Sequence, residues 1–359
     1  LRRHRAALAI ALTTALHLAC AGPPSAFATH FAAAERAVTA GRHRDAAVAF
    51  DAASRAEAPK REREHAAFLA ALELVRSGDV AGGAARFEAI ARARGEHAAQ
   101  ARWELVAMDV ATRAANVTSE LDDFIRTYPD SGLAYPALQT RLRLARDAGG
   151  ESEVLALLRG FEPALAKTQS APRIAYEIAE SLAKLGKLDE ASAAYGSVVD
   201  RWPYPGEYFD YALYRKSEVD ETLGNLRDAV GDLERMLAVL ESSTLPGTYV
   251  RPRFPDAGWR IAVLYRDKLG DKKRAIAAFE RYVDRFPNDV RRAEALWQAA
   301  KLLSSSGDED AACGRLAKLV SEAPDSRYVP CVTAKCTGVS RPKNSHAPER
   351  CHAYILREN

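Results

Sequence analysis

Four cysteines close the sequence, Cys313, Cys331, Cys336 and Cys351, and of all the side chains present they are the best suited to covalent chemistry. The five-residue step from Cys331 to Cys336 and the adjacent Cys351-His352 do not form a recognised zinc site. Two disulfides are expected instead, in any of three pairings. The eight histidines, His4, His17, His30, His43, His65, His97, His346 and His352, form no His-x-x-x-His step and lie beside no Gly-x-Ser-x-Gly. They read as solvated helix-face residues. Gly82-Gly83 and Gly149-Gly150 lack the Gly-Lys-Ser/Thr continuation of a phosphate loop. Glu218, Asp220 and Glu221 could pair for acid–base work, but such a cluster is more simply a solvated helix face. No metal, cofactor or catalytic set is expected, and the chain reads as non-enzymatic.

The fifth cysteine stands in Leu18-Ala19-Cys20-Ala21, which resembles a bacterial lipobox except that His17 occupies a position where Leu is usual. Around it, residues 1–28 have the three parts of an export signal. These are a basic Leu1-Arg2-Arg3-His4-Arg5, an apolar run over 6–19, and Gly22-Pro23-Pro24 ahead of Ala26-Phe27-Ala28. Cleavage after Ala28 would give a soluble exported chain beginning at Thr29; acylation of Cys20 is the alternative. At 14 residues the run over 6–19 is shorter than the roughly 20 needed to span a bilayer. Export also suits the cysteines, since disulfides persist in oxidising compartments.

Composition narrows the function classes. With 48% hydrophobic and 28% charged residues in 359, the chain can bury a core. Its formal charge of +3 equals the three arginines of residues 1–28, so the rest is neutral and has no bulk attraction for nucleic acid. Within that remainder the tail over 326–359 carries six basic residues against two acidic ones. A basic, cysteine-stapled cap is expected there.

The elements that position these residues emerge from internal repetition. Turn residues align at Gly41, Gly78, Thr112, Gly149, Gly186, Gly224, Gly270 and Gly307, at intervals of 37, 34, 37, 37, 38, 46 and 37. About ten residues before each turn stands Phe31, Phe68, Trp103, Tyr176, Tyr214, Trp259 or Trp297, with Gln139 as the exception. Five after it comes a small or β-branched residue (Ala46, Gly83, Val117, Val154, Ala191, Ala229, Ala275, Ala312), and nine after it a large one (Phe50, Phe87, Leu121, Leu158, Tyr195, Leu233, Phe279, Leu316). A step of four places small and large on one helix face, where the small residue admits a neighbouring helix. Pro129, Pro203, Pro287 and Pro324 then end the second helix. The pattern predicts an all-α fold, an α-solenoid of about eight helix–turn–helix units over 29–325, each too short to bury both faces alone.

Gly186-Lys187-Leu188-Asp189-Glu190-Ala191, and the stretch from Trp297 through Gly307 and Ala312 to Pro324, resemble the tetratricopeptide repeat. A narrower likeness lies in Phe124-Ile125-Arg126-Thr127-Tyr128-Pro129-Asp130-Ser131 and Tyr282-Val283-Asp284-Arg285-Phe286-Pro287-Asn288-Asp289. These are similar to repeats of envelope proteins of the outer-membrane assembly lipoprotein and Tol-Pal coordinator type. The resemblance implies a non-enzymatic scaffold whose first helices hold a protein or peptide partner in the bacterial envelope, either periplasmic or associated with the outer membrane. It implies concave positions at Glu177, Ser181, Arg215, Val219, Arg260, Leu264, Gln298 and Leu302.

Two segments break the rhythm. The 46-residue interval contains an insertion bearing Tyr249, Arg251, Arg253 and Phe254, residue types favoured at binding hot spots. Near the preceding boundary, Tyr204, Tyr208, Phe209 and Tyr211 are aromatic beyond what the repeat phase needs. Both are candidate partner contacts. A second reading from the same residues is a non-catalytic glycan- or peptidoglycan-binding module of a cell-wall enzyme, with Tyr204, Tyr208 and Tyr249 as sugar platforms beside Glu207 and Asp210.

Overall fold

A computed structural model of the chain describes residues 25–239 and 253–357. Among the described residues there are helices and connecting turns and no strand. In chain order they are α1 (Ala26–Thr39), α2 (His43–Arg55), α3 (Lys60–Arg76), α4 (Val80–Ala93), α5 (Ala98–Thr112) and α6 (Val117–Thr127). Next come α7 (Ala134–Leu165), α8 (Ala171–Lys184), α9 (Leu188–Arg201), α10 (Phe209–Leu223), α11 (Leu226–Ala238) and α12 (Arg253–Val263), the last running into a π-helical segment at Leu264–Lys268. The series ends with α13 (Lys272–Arg285), α14 (Arg292–Ser305), α15 (Glu309–Glu322), α16 (Val329–Lys335) and α17 (Ala353–Arg357).

Two compact units divide the chain, one of Leu1–Glu153 with Pro163–Gln169, the other of Val154–Glu162 with Ser170–Asn359. Within each, successive helices form antiparallel pairs joined by turns. Residues with positive φ mark those turns at Gly41, Gly78, Gly186, Gly224, Gly270 and Gly307. Two turns differ from the expected positions by one residue. Arg113, not Thr112, takes the left-handed conformation after α5, and Gly150, not Gly149, breaks α7 with a φ of 67°. Glycine suits these positions because it lacks the Cβ that penalises positive φ. Asp79, Asp271 and Asp308 then cap α4, α13 and α15 by accepting the N–H of Gly82, Arg274 and Ala311.

The phased residues form the core. Phe50, Phe87, Leu121, Leu158, Tyr195, Leu233, Phe279 and Leu316 are all buried, as are Ala46, Ala191, Ala229, Ala275 and Ala312 at zero exposure. Val117 alone among the small positions is half-buried. Second helices end where the sequence places proline: Tyr128, Trp202, Phe286 and Ala323, each just before a proline, share an extended φ near −126°, −130°, −123° and −134°. Proline forces its predecessor out of the helical region, so the stop is steric.

At the N-terminal end, α1 starts inside the expected export signal. Ser25 accepts the N–H of Ala28, and Phe27 stacks on Phe31 at 5.4 Å. The rest of the expected signal, including Cys20, lies outside the described residues. No helix among the described residues is long and apolar enough to cross a membrane.

Candidate functional site

In the second unit, α8, α10 and α12 are consecutive first helices, and a charge ladder joins them. Arg215, one residue after the phased aromatic of α10, donates through Nε to Glu180, four after the phased aromatic of α8, at 2.7 Å. One unit further the register repeats: Arg260 on α12 pairs with Glu218 on α10 at 3.1 Å and with Glu221 at 2.6 Å. Glu180 also accepts from the hydroxyls of Tyr195 at 2.5 Å and Tyr176 at 3.0 Å. Burial pushes its carboxyl upward, but the hydrogen bonds of Arg215 and Tyr195 outweigh that and hold it below the usual range. The Tyr195 hydroxyl is pushed well above its ordinary value by burial and then by the bond to Glu180.

Beside the ladder three tyrosines meet. Tyr176 lies 5.1 Å from Tyr208 and 6.4 Å edge-on from Tyr211, and Tyr208 lies 6.2 Å from Tyr211. Arg253, the first residue of α12, sits over the Tyr211 ring at 3.9 Å, a cation–π contact. Tyr211 is still 38% exposed, and Tyr204, packed edge-on to Phe209 at 6.3 Å, is 42% exposed. Burial pushes the Tyr208 hydroxyl up to about 12, so it stays a protonated donor. Glu177, paired with Arg173 at 3.4 Å, completes the rim. The surface thus offers aromatic faces, a guanidinium and carboxylates within one unit, a composition suited to gripping a polypeptide.

The tetratricopeptide repeat family profile matches residues 175–203, 256–289 and 294–326, which span the pairs α8–α9, α12–α13 and α14–α15. These segments are tetratricopeptide repeats. No curated protein matches the chain in sequence. Among solved structures, the chain is similar to MamA from Desulfovibrio magneticus RS-1, at 18% identity over 54% of this chain and 96% of that one, with a TM-score of 0.35. It is similar to a tetratricopeptide repeat protein from Parabacteroides merdae at 19% identity, over 66% and 84% of the two chains and with a TM-score of 0.36. PilW, described as a widely conserved type IV pilus biogenesis factor, gives 19% identity over 67% and 100%, also with a TM-score of 0.36.

Within the repeats, the first-helix positions expected to face a partner divide. Glu177, Arg215, Arg260 and Leu302 reach the surface in part. Ser181, Val219, Leu264 and Gln298 are buried and are corrected to packing residues. A position four residues on is turned by about 40°, and at Ser181, Val219 and Leu264 that turn carries the side chain into the packed interior. Phe209 and Phe254, at the starts of α10 and α12, are likewise buried. Of the insertion, Arg253 joins the tyrosine cluster, while Tyr249 and Arg251 lie outside the described residues. The cysteines pair as Cys313–Cys336 and Cys331–Cys351.

Sequence reasoning missed three groupings. The arginine–glutamate register was readable, as Glu180 and Glu218 each stand four residues after a phased aromatic, and Arg215 and Arg260 each stand one after the next. Lys216 contacts both Asp220 at 2.6 Å and Asp232 at 2.9 Å, and Ser192 donates to Asp220 at 2.6 Å. Asp220 is buried, which corrects its reading as part of a solvated face. In the first unit the histidines are not scattered. His65 lies 5.1 Å from His97, flanked by Phe31 at 6.1 Å and by Phe68, 5.2 Å from His97, and His43 bonds the buried Glu73 at 2.7 Å.

Proposed function

We propose that the chain is an exported scaffold of the bacterial envelope that binds a protein segment along the first helices of its second unit. The observation that supports this most directly is the Tyr176–Tyr208–Tyr211 cluster, roofed by Arg253 and bordered by the Glu180–Arg215–Glu218–Arg260 ladder. Ladder members hold one another in place, so side chains at the edge meet a partner with little ordering cost. Tetratricopeptide repeats favour a protein ligand over a small molecule. Residues 1–28 serve as the export signal, 29–325 as the repeat array and 326–359 as its cap; cleavage after Ala28 removes the first turn of α1. Periplasmic or outer-membrane-associated placement follows from export, in the soluble form or through a lipid on Cys20.

The test is photocrosslinking in cells with a reactive residue at Tyr204, alone and combined with Tyr208→Ala and Tyr211→Ala. One or a few envelope proteins should crosslink, at least tenfold less in the double variant. Muropeptides retained in place of any protein would replace this reading with the glycan-binding one. The mass of the mature N-terminus separates a start at Thr29 from an acylated Cys20.

A further inference from the structure

A cleft of about 420 Å³ opens between α11 and α13, second helices of adjacent pairs, away from the tyrosine cluster. Arg227, Arg274 and Arg281 line it with Glu234, Gly231 and Tyr265. Its construction is unusual at three points. The π-helical turn that follows α12, closed by the Leu269 N–H to the Leu264 carbonyl at 3.0 Å, carries Tyr265 on the cleft wall. Such turns often occur at functional sites. Tyr265 is 8% exposed as a whole and its ring lies 5.8 Å from the Arg274 guanidinium; its hydroxyl makes no hydrogen bond among the described residues and is left open to the cleft.

The first turn of α13 holds Lys272, Lys273 and Arg274 and no acid, so cations stand at the positive end of the helix dipole. The carboxylates nearby neutralise little of this. Arg274 reaches Asp271 at 3.6 Å and Arg281 reaches Glu234 at 3.6 Å, both in exposed pairs of small worth. Arg227 pairs with no carboxylate among the described residues. Burial and then the repulsion of Arg281 pull the neighbouring Arg285 guanidinium below its ordinary range.

We propose that this cleft binds an oxyanion, a phosphate or a carboxylate, held by the guanidiniums of Arg227, Arg274 and Arg281 and by the Tyr265 hydroxyl. Two or more guanidiniums with a phenol donor make charge-assisted bonds to either group. Glu234 gives up Arg281 to the ligand. Gly231, where an added Cβ meets nothing within 4 Å, leaves the space open.

Calorimetric titration of the full chain at low salt tests this, with inorganic phosphate and with a tetraglutamate peptide as probes. At least one probe should saturate a single site, and Arg281→Gln and Tyr265→Phe should each weaken it at least fivefold. Gly231→Leu, which keeps every charge and improves helix propensity, should abolish it. Tighter binding of phosphate assigns the site to a phosphate ligand, and tighter binding of the peptide to a polypeptide carboxylate. Absence of saturation by both probes overturns the proposal. So does binding unchanged in Gly231→Leu, because diffuse attraction to a basic surface would survive that substitution.

Discussion

Lys216, Asp220 and Asp232 form the most consequential charge cluster, because all three are largely withdrawn from solvent, at 20%, 3% and 15% exposure. Removing one partner leaves the others desolvated and unpaired. Lys216→Met is therefore expected to destabilise the second unit by about 3–5 kcal/mol in chemical denaturation. Glu180 gives the pH-dependent counterpart. Its folded carboxyl is held below the ordinary range, so its stabilisation is present above the unfolded value near 4.3 and is lost as pH falls through the folded value. Glu180→Gln should cost about 1.5–3 kcal/mol at pH 7, and the gap to wild type should close as pH is lowered below about 4; a constant gap would refute the ionic role. The inward role of Asp220 was not legible in the sequence. Glu218, Asp220 and Glu221 look alike as a string, yet a step of two residues is about 200° around a helix, which sends Asp220 inward and leaves Glu218 on the ladder.

Helices were far more legible than the side-chain contacts between them, because turn, small residue, large residue and proline recur in phase and each has its own steric cause. What blurred the reading were two turns that fall one residue past the expected Thr112 and Gly149, at Arg113 and Gly150. Register also organises the second helices. Asp51–Arg86 and Glu280–Arg315 occupy one pair of repeat positions, and Asp200–Arg235 and Asp284–Lys318 another, so ion pairs staple adjacent units in two recurring ways. Glycines inside helices separate packing from propensity. A Cβ on Gly83 would sit 2.4 Å from Val75 Cγ2 and 3.0 Å from the Ala71 carbonyl oxygen, whereas one on Gly314 meets nothing within 4 Å. Gly83→Ala should destabilise by about 1–3 kcal/mol although alanine is the better helix former. Gly314→Ala should stabilise by about 0.5–1 kcal/mol, and thermal melts of the two variants must move in opposite directions.

Stacked repeats owe their stability to their neighbours, so the terminal pair needs something to cover it. Here the tail over 326–357 packs on that pair. Tyr328 stacks on Trp297 at 5.1 Å, Val329, Val332 and Ile355 are fully buried, and the hydroxyl of Ser345 donates to the Pro324 carbonyl at 2.5 Å. Short helices such as α16 and α17 cannot hold that position by propensity alone. Cys313–Cys336 ties the tail to α15 across 23 residues, and Cys331–Cys351 closes it on itself across 20. Loops of this size restrict the unfolded chain by about 3 kcal/mol each. Reduction, or Cys336→Ser with Cys351→Ser, should therefore lower the melting temperature. Because repeat stability passes between nearest neighbours, the loss should be graded along the chain. Hydrogen exchange should accelerate first in the tail, next in α14 and α15, and least in the pairs of the first unit. Uniform acceleration would mean that the staples act on global folding, and no acceleration that the tail is not a cap. A cap that depends on oxidised cysteines is at full strength only in an oxidising compartment, which couples the stability of the last repeats to the redox state around them.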